Sequence, residues 1–102
     1  KELAKEAYFL AFANPNDGKM YFCFAPITKP LSIEIMQFNH SEISVYTYHD
    51  YNARSIAQQA GQNFSPIHDF ATKSGYFNHY HMGDRPHEVS YSHAFYGLPI
   101  FF

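Results

Sequence analysis

The chain has 102 residues, of which 46% are hydrophobic and 16% are charged, and its formal net charge is -2. This length and composition fit a single domain with a real hydrophobic core, and they exclude a disordered tail. The lack of a basic excess argues against a protein that coats nucleic acid by bulk electrostatics, although it leaves room for an enzyme with one local basic pocket.

Cysteine content and hydropathy narrow the class further. The single cysteine, Cys23, rules out an intramolecular disulfide framework and a cysteine-rich zinc site. No run of about 18 apolar residues occurs, so we expect no membrane span, and the apolar segment Tyr8–Ala13 lacks the layout of a signal peptide. The chain begins with Lys1 rather than methionine, which is compatible with a single domain over residues 1–102 that forms the C-terminal module of a longer polypeptide.

The N-terminal quarter predicts one ambiguous element, a turn and a buried strand. Residues 1–13 are rich in helix formers, although Tyr8–Phe12 could equally extend as a strand. Asn14–Gly18 is dense in turn residues and ends this element. Lys19–Ala25 is typical of a buried strand, so we expect the thiol of Cys23 to be a buried and unreactive core group.

Two further strands and one helix are predicted in the middle of the chain. Leu31–Phe38 alternates apolar and polar residues at strand period, and Ser44–Tyr48 is rich in β-branched and aromatic residues. Asp50 is expected to be the N-cap of a helix, and Gly61 stands where a left-handed C-terminal residue is favoured. The apolar face of this helix is small and repeats at helical spacing: Ala53, Ile56, Ala57 and Ala60. We expect this face to pack closely on a sheet, with Ile56 as its main anchor.

The C-terminal part predicts a loop followed by a hairpin. Residues 62–74 contain turn residues and are expected to form the loop. The aromatic-rich runs Tyr76–Met82 and Val89–Tyr96 flank Gly83–Pro86, which is typical of an antiparallel hairpin. With the preceding elements, this hairpin predicts an α+β fold with one mainly antiparallel sheet and one or two helices packed on one face.

Histidine is the most informative residue type, because it titrates near neutral pH and is the commonest metal ligand. His79 and His81 are two apart on a predicted strand, so their side chains leave the same face. His93 joins them if the paired residue numbers of the hairpin sum to an even value, and an odd sum moves it to the other face. We predict the even register, which groups the three imidazoles with aromatic residues: Phe77, Tyr91 and Phe95.

One interpretation of this cluster is acid–base chemistry on a phosphodiester, which needs no cofactor. The candidate catalytic residues are His79, His81 and His93. One imidazole would take the proton of a 2′-hydroxyl while another protonates the leaving oxygen. The candidate substrate-binding residues are Arg54, Lys73 and Arg85, which would stabilise the developing negative charge, and Tyr91, which would stack on a base.

Two other interpretations stay open. The same three histidines could form a three-nitrogen site for Zn²⁺ or a related ion, with an open position for water. Alternatively, they could be structural, bonded to backbone groups or tyrosine hydroxyls on a half-exposed sheet. His68 and Asp69, on the predicted loop near the hairpin, are weaker candidates for a functional role.

Several segments of the chain resemble a known family. These are Ser44–Thr47, the helix Asn52–Gly61, the run Gly75–His81 that ends in His-Tyr-His, and Ser92–Gly97 with His-Ala-Phe-Tyr-Gly. They are similar to small C-terminal modules of secreted bacterial polymorphic toxins, and the resemblance covers roughly residues 44 to 97. It implies a nuclease acting on RNA through the three histidines, a cognate immunity protein as partner, and a secreted protein that acts in the cytoplasm of a target cell.

A different class is also compatible with the sequence: a non-catalytic, aromatic-rich sheet domain that binds a partner protein or a sugar. One substitution distinguishes the enzyme from the binding module. Loss of turnover in His79→Ala with folding unchanged would favour the enzyme, whereas retained activity would favour the binding module.

Overall fold

The fold is seen in a computed structural model that describes residues 5–13 and 19–102. Within these residues, six strands form one sheet, and two helices pack together on one of its faces. The elements in chain order are β1 (Tyr8–Ala13), β2 (Met20–Ile27), α1 (Lys29–Phe38), β3 (Ser44–Thr47), α2 (Asp50–Ala60), β4 (Ile67–Asp69), β5 (His79–His81) and β6 (Ala94–Tyr96). The predicted α+β fold is therefore confirmed.

The N-terminal prediction is resolved only in part. Tyr8–Ala13 extends as β1, so the strand alternative is correct there. Of the helical segment expected over residues 1–13, residues 1–4 lie outside the described residues, as does the turn expected over residues 14–18.

The strand order is β2-β1-β3-β6-β5-β4, and every neighbouring pair is antiparallel except β3 and β6. The parallel pair aligns Val45 with Ala94 and Tyr46 with Phe95. The last strand in sequence therefore lies inside the sheet, between β3 and β5. Of the helices in the described part of the chain, none is long and apolar enough to cross a membrane.

The strand predicted over Leu31–Phe38 is wrong, because this segment is α1. The Thr28 side chain accepts a hydrogen bond from the Leu31 amide at 3.2 Å, which caps the helix. Pro30 lies in the first turn, where its missing N–H costs nothing. A short apolar alternation fits either period, and the cap and proline select the helix that buries Met36 against the sheet.

The helix predicted from Asp50 to Ala60 is confirmed as α2, and the four small and branched residues of its apolar face are all buried. Its caps differ from the prediction. His49 is the N-cap residue, whereas the Asp50 carboxylate accepts a hydrogen bond from the Tyr80 hydroxyl. Gly61 has φ -92° rather than a left-handed conformation. Glycine suits that position because an added Cβ would lie 3.2 Å from the Gly83 amide nitrogen.

The two faces of the sheet carry different cores. The helix-side core joins α1 and α2 to the sheet through Met36, Val45, Ile56, Tyr80 and Ala94, among others. The opposite face carries a smaller aromatic core of Phe9, Ala11, Tyr46 and Phe95. Since successive strand residues face opposite sides, Tyr80 lies on the helix side, and its neighbours His79 and His81 lie on the aromatic side.

The burial predicted for the second strand is wrong, although the strand itself is confirmed as β2. β2 forms one edge of the sheet and therefore has a neighbouring strand on one side only. Cys23 is exposed, and Phe24 is 79% exposed. The apolar and aromatic residues of this segment therefore indicate strand propensity and not burial.

The segment expected to be a loop over residues 62–74 contains a strand. β4 forms the other edge of the sheet and pairs antiparallel with β5, which aligns Ile67 with His81 and Asp69 with His79. The predicted hairpin is confirmed in its central part, but its strands are shorter than expected, and a short 3₁₀ helix at His87–Val89 interrupts the connection.

Candidate histidine site

Three histidines converge on the sheet face opposite the helices. β5 pairs with β6 by aligning His79 with Phe95, which is an even register, so this prediction is confirmed. The ring centroids of His79 and His81 lie 4.9 Å apart, and that of His93 lies 4.6 Å from each. One nitrogen of each ring can be chosen so that all three lie within 4.8 Å of one another. We call this group, together with Asp69, the histidine cluster.

His93 is held in place by the backbone around it. Its amide donates to the Ser44 hydroxyl at 2.9 Å, and its carbonyl accepts from the Val45 amide at 3.0 Å. Just before it, the Asn39 side-chain carbonyl accepts hydrogen bonds from the amides of Tyr91 and Ser92 at 2.7 and 3.0 Å. The position of His93 therefore depends on contacts with β3 and with the end of α1, far away in sequence.

Asp69 is the member of the cluster that the predicted site residues do not include. Its Oδ2 atom lies 3.0 Å from Nε2 of His81 and 3.4 Å from Nε2 of His79. The pairing of β4 with β5 places it there, since Asp69 aligns with His79. The sequence offered one sign of a role for Asp69, which is its position beside His68 near the hairpin. Its strand could not be predicted from periodicity, because three residues are too few to show a period.

The side chains of the histidine cluster differ in how far they are buried. The side chain of His81 is 3% exposed, that of His79 is 18% exposed, and that of Asp69 is 40% exposed. The ring of Phe95 lies 5.2 Å from the rings of both His79 and His93. The site is thus closed beneath His81 and open on the side of Asp69, and its buried part has a low local dielectric constant that strengthens electrostatic interactions.

The hydrogen bonds fix the ring tautomer of His79. Its Nδ1 atom lies 3.3 Å from the carbonyl oxygen of Phe77, and since a carbonyl only accepts, Nδ1 carries the proton. A neutral His79 then presents a lone pair on Nε2, which lies 3.2 Å from Nε2 of His81 and faces the Asp69 carboxylate. A hydrogen on Nε2 of His81 would be donated to the Asp69 carboxylate, whereas a metal ion could accept lone pairs from all of these atoms at once.

The predicted substrate-binding residues lie on different segments of the chain. Arg54 is exposed on α2, where it donates to Gln58 at 3.2 Å, so it lies on the helix side of the sheet. Lys73 is exposed in the loop before β5, and Arg85, in the segment after β5, donates to Asp84 at 3.2 Å. Tyr91 is 49% exposed. Of the predicted site residues, the structure brings together the three histidines.

A second polar network lies on the helix side of the sheet. Nε2 of His68 lies 2.6 Å from the Tyr96 hydroxyl, and the His68 ring stacks on that of Tyr80 at 4.3 Å. Burial, followed by the hydrogen bond to Asp50, raises the pKa of Tyr80 well above its ordinary value. These contacts give His68 a structural role between β4 and β6, whereas Asp69, its neighbour in sequence, joins the histidine cluster.

Comparison of the chain with known protein families, with curated proteins and with solved structures finds no match.

Proposed function

We propose that this chain is an RNA-cleaving effector domain of the toxin type, with its reaction centre at His79, His81 and His93. The observation that carries the proposal is the convergence of the three imidazoles with Asp69 on one face of a hydrogen-bonded sheet. Histidine is the side chain best suited to proton transfer near neutral pH. The choice of RNA as substrate rests on the resemblance to toxin modules.

The chemistry proposed is attack of a 2′-hydroxyl oxygen on the adjacent phosphorus. The P–O bond to the 5′ oxygen breaks as the new P–O bond forms, the 2′ proton passes to the enzyme, and the leaving oxygen receives a proton. His79 is half-buried and is accessible to substrate, whereas His81 is buried and oriented by Asp69. Lys73 and Arg85, in the segments flanking β5, are the proposed phosphate contacts, and Tyr91 is exposed enough to stack on a base.

Partner and location follow from the same proposal. A toxin of this type would be secreted, would act in the cytoplasm of a target cell, and would be neutralised in the producing cell by a cognate immunity protein. Nuclease activity in the isolated chain is the first point to establish, because the proposed immunity protein and the proposed site of action both depend on it.

The test compares RNA cleavage by the purified chain and by the variant His93→Ala. We expect this variant to lose about 10²–10⁴-fold in rate, the range for removing a proton-transfer group. His40→Ala is the matched control, because His40 is an exposed histidine that stacks on Phe38 after α1. Equal cleavage by His93→Ala and the unsubstituted chain, or no cleavage of RNA by either, would refute the proposed function.

A non-catalytic binding module is the second candidate, and the exposed aromatic surface favours it. Phe101 and Phe102 are neighbours in sequence and are each more than 70% exposed, and adjacent exposed apolar side chains are typical of an interaction surface. Under this alternative, expression of the chain in bacteria would leave RNA intact, and substitution of His93 would not change its binding.

A further inference from the structure

We propose that the histidine cluster is a binding site for one divalent transition-metal ion of the Zn²⁺ type. His79, His81 and His93 would supply nitrogen ligands, and Asp69 would supply an oxygen ligand. The inference rests on the proposed function in that it concerns the same reaction centre, and it gives the three imidazoles the role of metal ligands in place of proton transfer. Metal binding is nevertheless measured without RNA, so each proposal can fail independently of the other.

The separations between the donor atoms carry the argument. In a tetrahedral zinc site with bonds of about 2.0–2.1 Å, neighbouring ligand atoms lie about 3.3 Å apart. Nε2 of His79, Nε2 of His81 and Oδ2 of Asp69 are separated by 3.2, 3.0 and 3.4 Å. His93 offers a nitrogen within 4.8 Å of the other two histidine nitrogens. His93 would therefore supply the fourth ligand of the set.

The same separations are poor for a metal-free acid–base pair formed by His79 and His81. Two imidazoles that serve an in-line displacement lie on opposite sides of the phosphorus, and each needs about 2.6–3.2 Å to its own oxygen. Their nitrogens would therefore be separated by roughly twice that distance or more. Nε2 of His79 and Nε2 of His81 are 3.2 Å apart, which leaves no room for a phosphate between them.

The outer contacts of His79 also match those of a metal ligand. A metal-bound histidine commonly donates its other ring N–H to a carboxylate or a backbone carbonyl, which fixes its tautomer. His79 donates from Nδ1 to the carbonyl of Phe77 at 3.3 Å, and its Nε2 points at the other donors. The Asp69 carboxylate would partly neutralise the ion, whose charge would otherwise be costly beside the buried His81.

The donor set selects the class of ion. Imidazole nitrogens suit Zn²⁺, Co²⁺, Ni²⁺ and Cu²⁺, whereas Mg²⁺ and Ca²⁺ prefer oxygen ligands. Three imidazoles and one carboxylate would therefore bind Zn²⁺ and Co²⁺ and leave Mg²⁺ unbound. With Asp69 as one of the four ligands the tetrahedral site is closed, so the ion would polarise a phosphoryl oxygen or activate a water molecule by taking it as a fifth ligand or in exchange for the carboxylate.

The experiment titrates chelator-treated, metal-free protein with Zn²⁺ by calorimetry and with Co²⁺ by visible absorption. We expect one ion per chain, a tetrahedral Co²⁺ spectrum, no binding of Mg²⁺, and a rise in Tm with Zn²⁺ concentration. The variants His93→Ala and Asp69→Asn should weaken Zn²⁺ binding about 100-fold and about 10-fold respectively. His40→Ala should bind Zn²⁺ like the unsubstituted chain, and circular dichroism checks that each variant is folded.

Two results would overturn the metal site. One is the absence of a stoichiometric Zn²⁺ complex of the unsubstituted chain, a measurement that does not depend on any variant folding. The other is unchanged Zn²⁺ affinity in folded His93→Ala. Stoichiometric Zn²⁺ binding without RNA cleavage would leave the metal site standing and refute the nuclease. Full RNA cleavage in chelator by a chain that binds no Zn²⁺ would refute the metal site and leave the nuclease standing.

Discussion

Replacement of Ile56 by alanine tests how strongly the packing of α2 on the sheet stabilises the fold. Ile56 is 0% exposed in the helix-side core. The substitution removes three buried carbons, which are worth about 2.4 kcal/mol at about 0.8 kcal/mol per methylene. The cavity left between α2 and the sheet adds to this, so we expect the free energy of unfolding to fall by about 3–4 kcal/mol. Urea unfolding measures the change as a lower midpoint at constant slope.

The chain offers a matched control for this substitution. Ile67 lies on the edge strand β4 and is 38% exposed, so Ile67→Ala removes the same atoms from a site that solvent already reaches. We expect it to cost about 1 kcal/mol or less. Equal losses from the two substitutions, or a loss below about 1 kcal/mol for Ile56→Ala, would show that α2 does not pack as described.

Two further predictions concern a thiol and a tyrosine. Cys23 is exposed on β2, so a thiol reagent should label it at similar rates in the native and the denatured chain, and slow native labelling would contradict its exposure. The pKa of Tyr80 is raised in the folded state, chiefly by burial, so the stability it contributes is fully present below pH about 10 and is lost as pH rises above that value. The urea midpoint should therefore fall less steeply above pH about 10 in Tyr80→Phe than in the unsubstituted chain, and identical slopes would contradict this.

The parts of the fold that were predictable are those whose signals are local. α2 has a regular apolar face and β3 is rich in β-branched and aromatic residues, so neither depends on distant neighbours for recognition. The even register of β5 and β6 was also predictable. It is the register that brings the three polar imidazoles of His79, His81 and His93 together, where they can supply one another with partners.

The parts that were missed depend on tertiary neighbours. The apolar residues of α1 satisfy strand and helix periods over a short run, and the deciding contacts are the Thr28 cap and the burial of Met36 under α2 and the sheet. β4 has three residues and forms against β5, so Asp69 could be placed beside His81 only once that pairing was known. The exposure of Cys23 follows from the edge position of β2, which the strand's own sequence does not encode.

The central position of β6 makes the histidine cluster a product of complete folding. β6 joins the three-stranded half β2-β1-β3 to the two-stranded half β5-β4, and its parallel partner β3 lies nearly half the chain away in sequence. Such long-range pairing has a large loop-closure cost and forms slowly. In a nascent chain that does not yet include β6, the two halves of the sheet are not joined to each other. His93 is fixed against Ser44 and Val45 only when β6 is in place, so the histidine cluster cannot assemble before β6 has been synthesised.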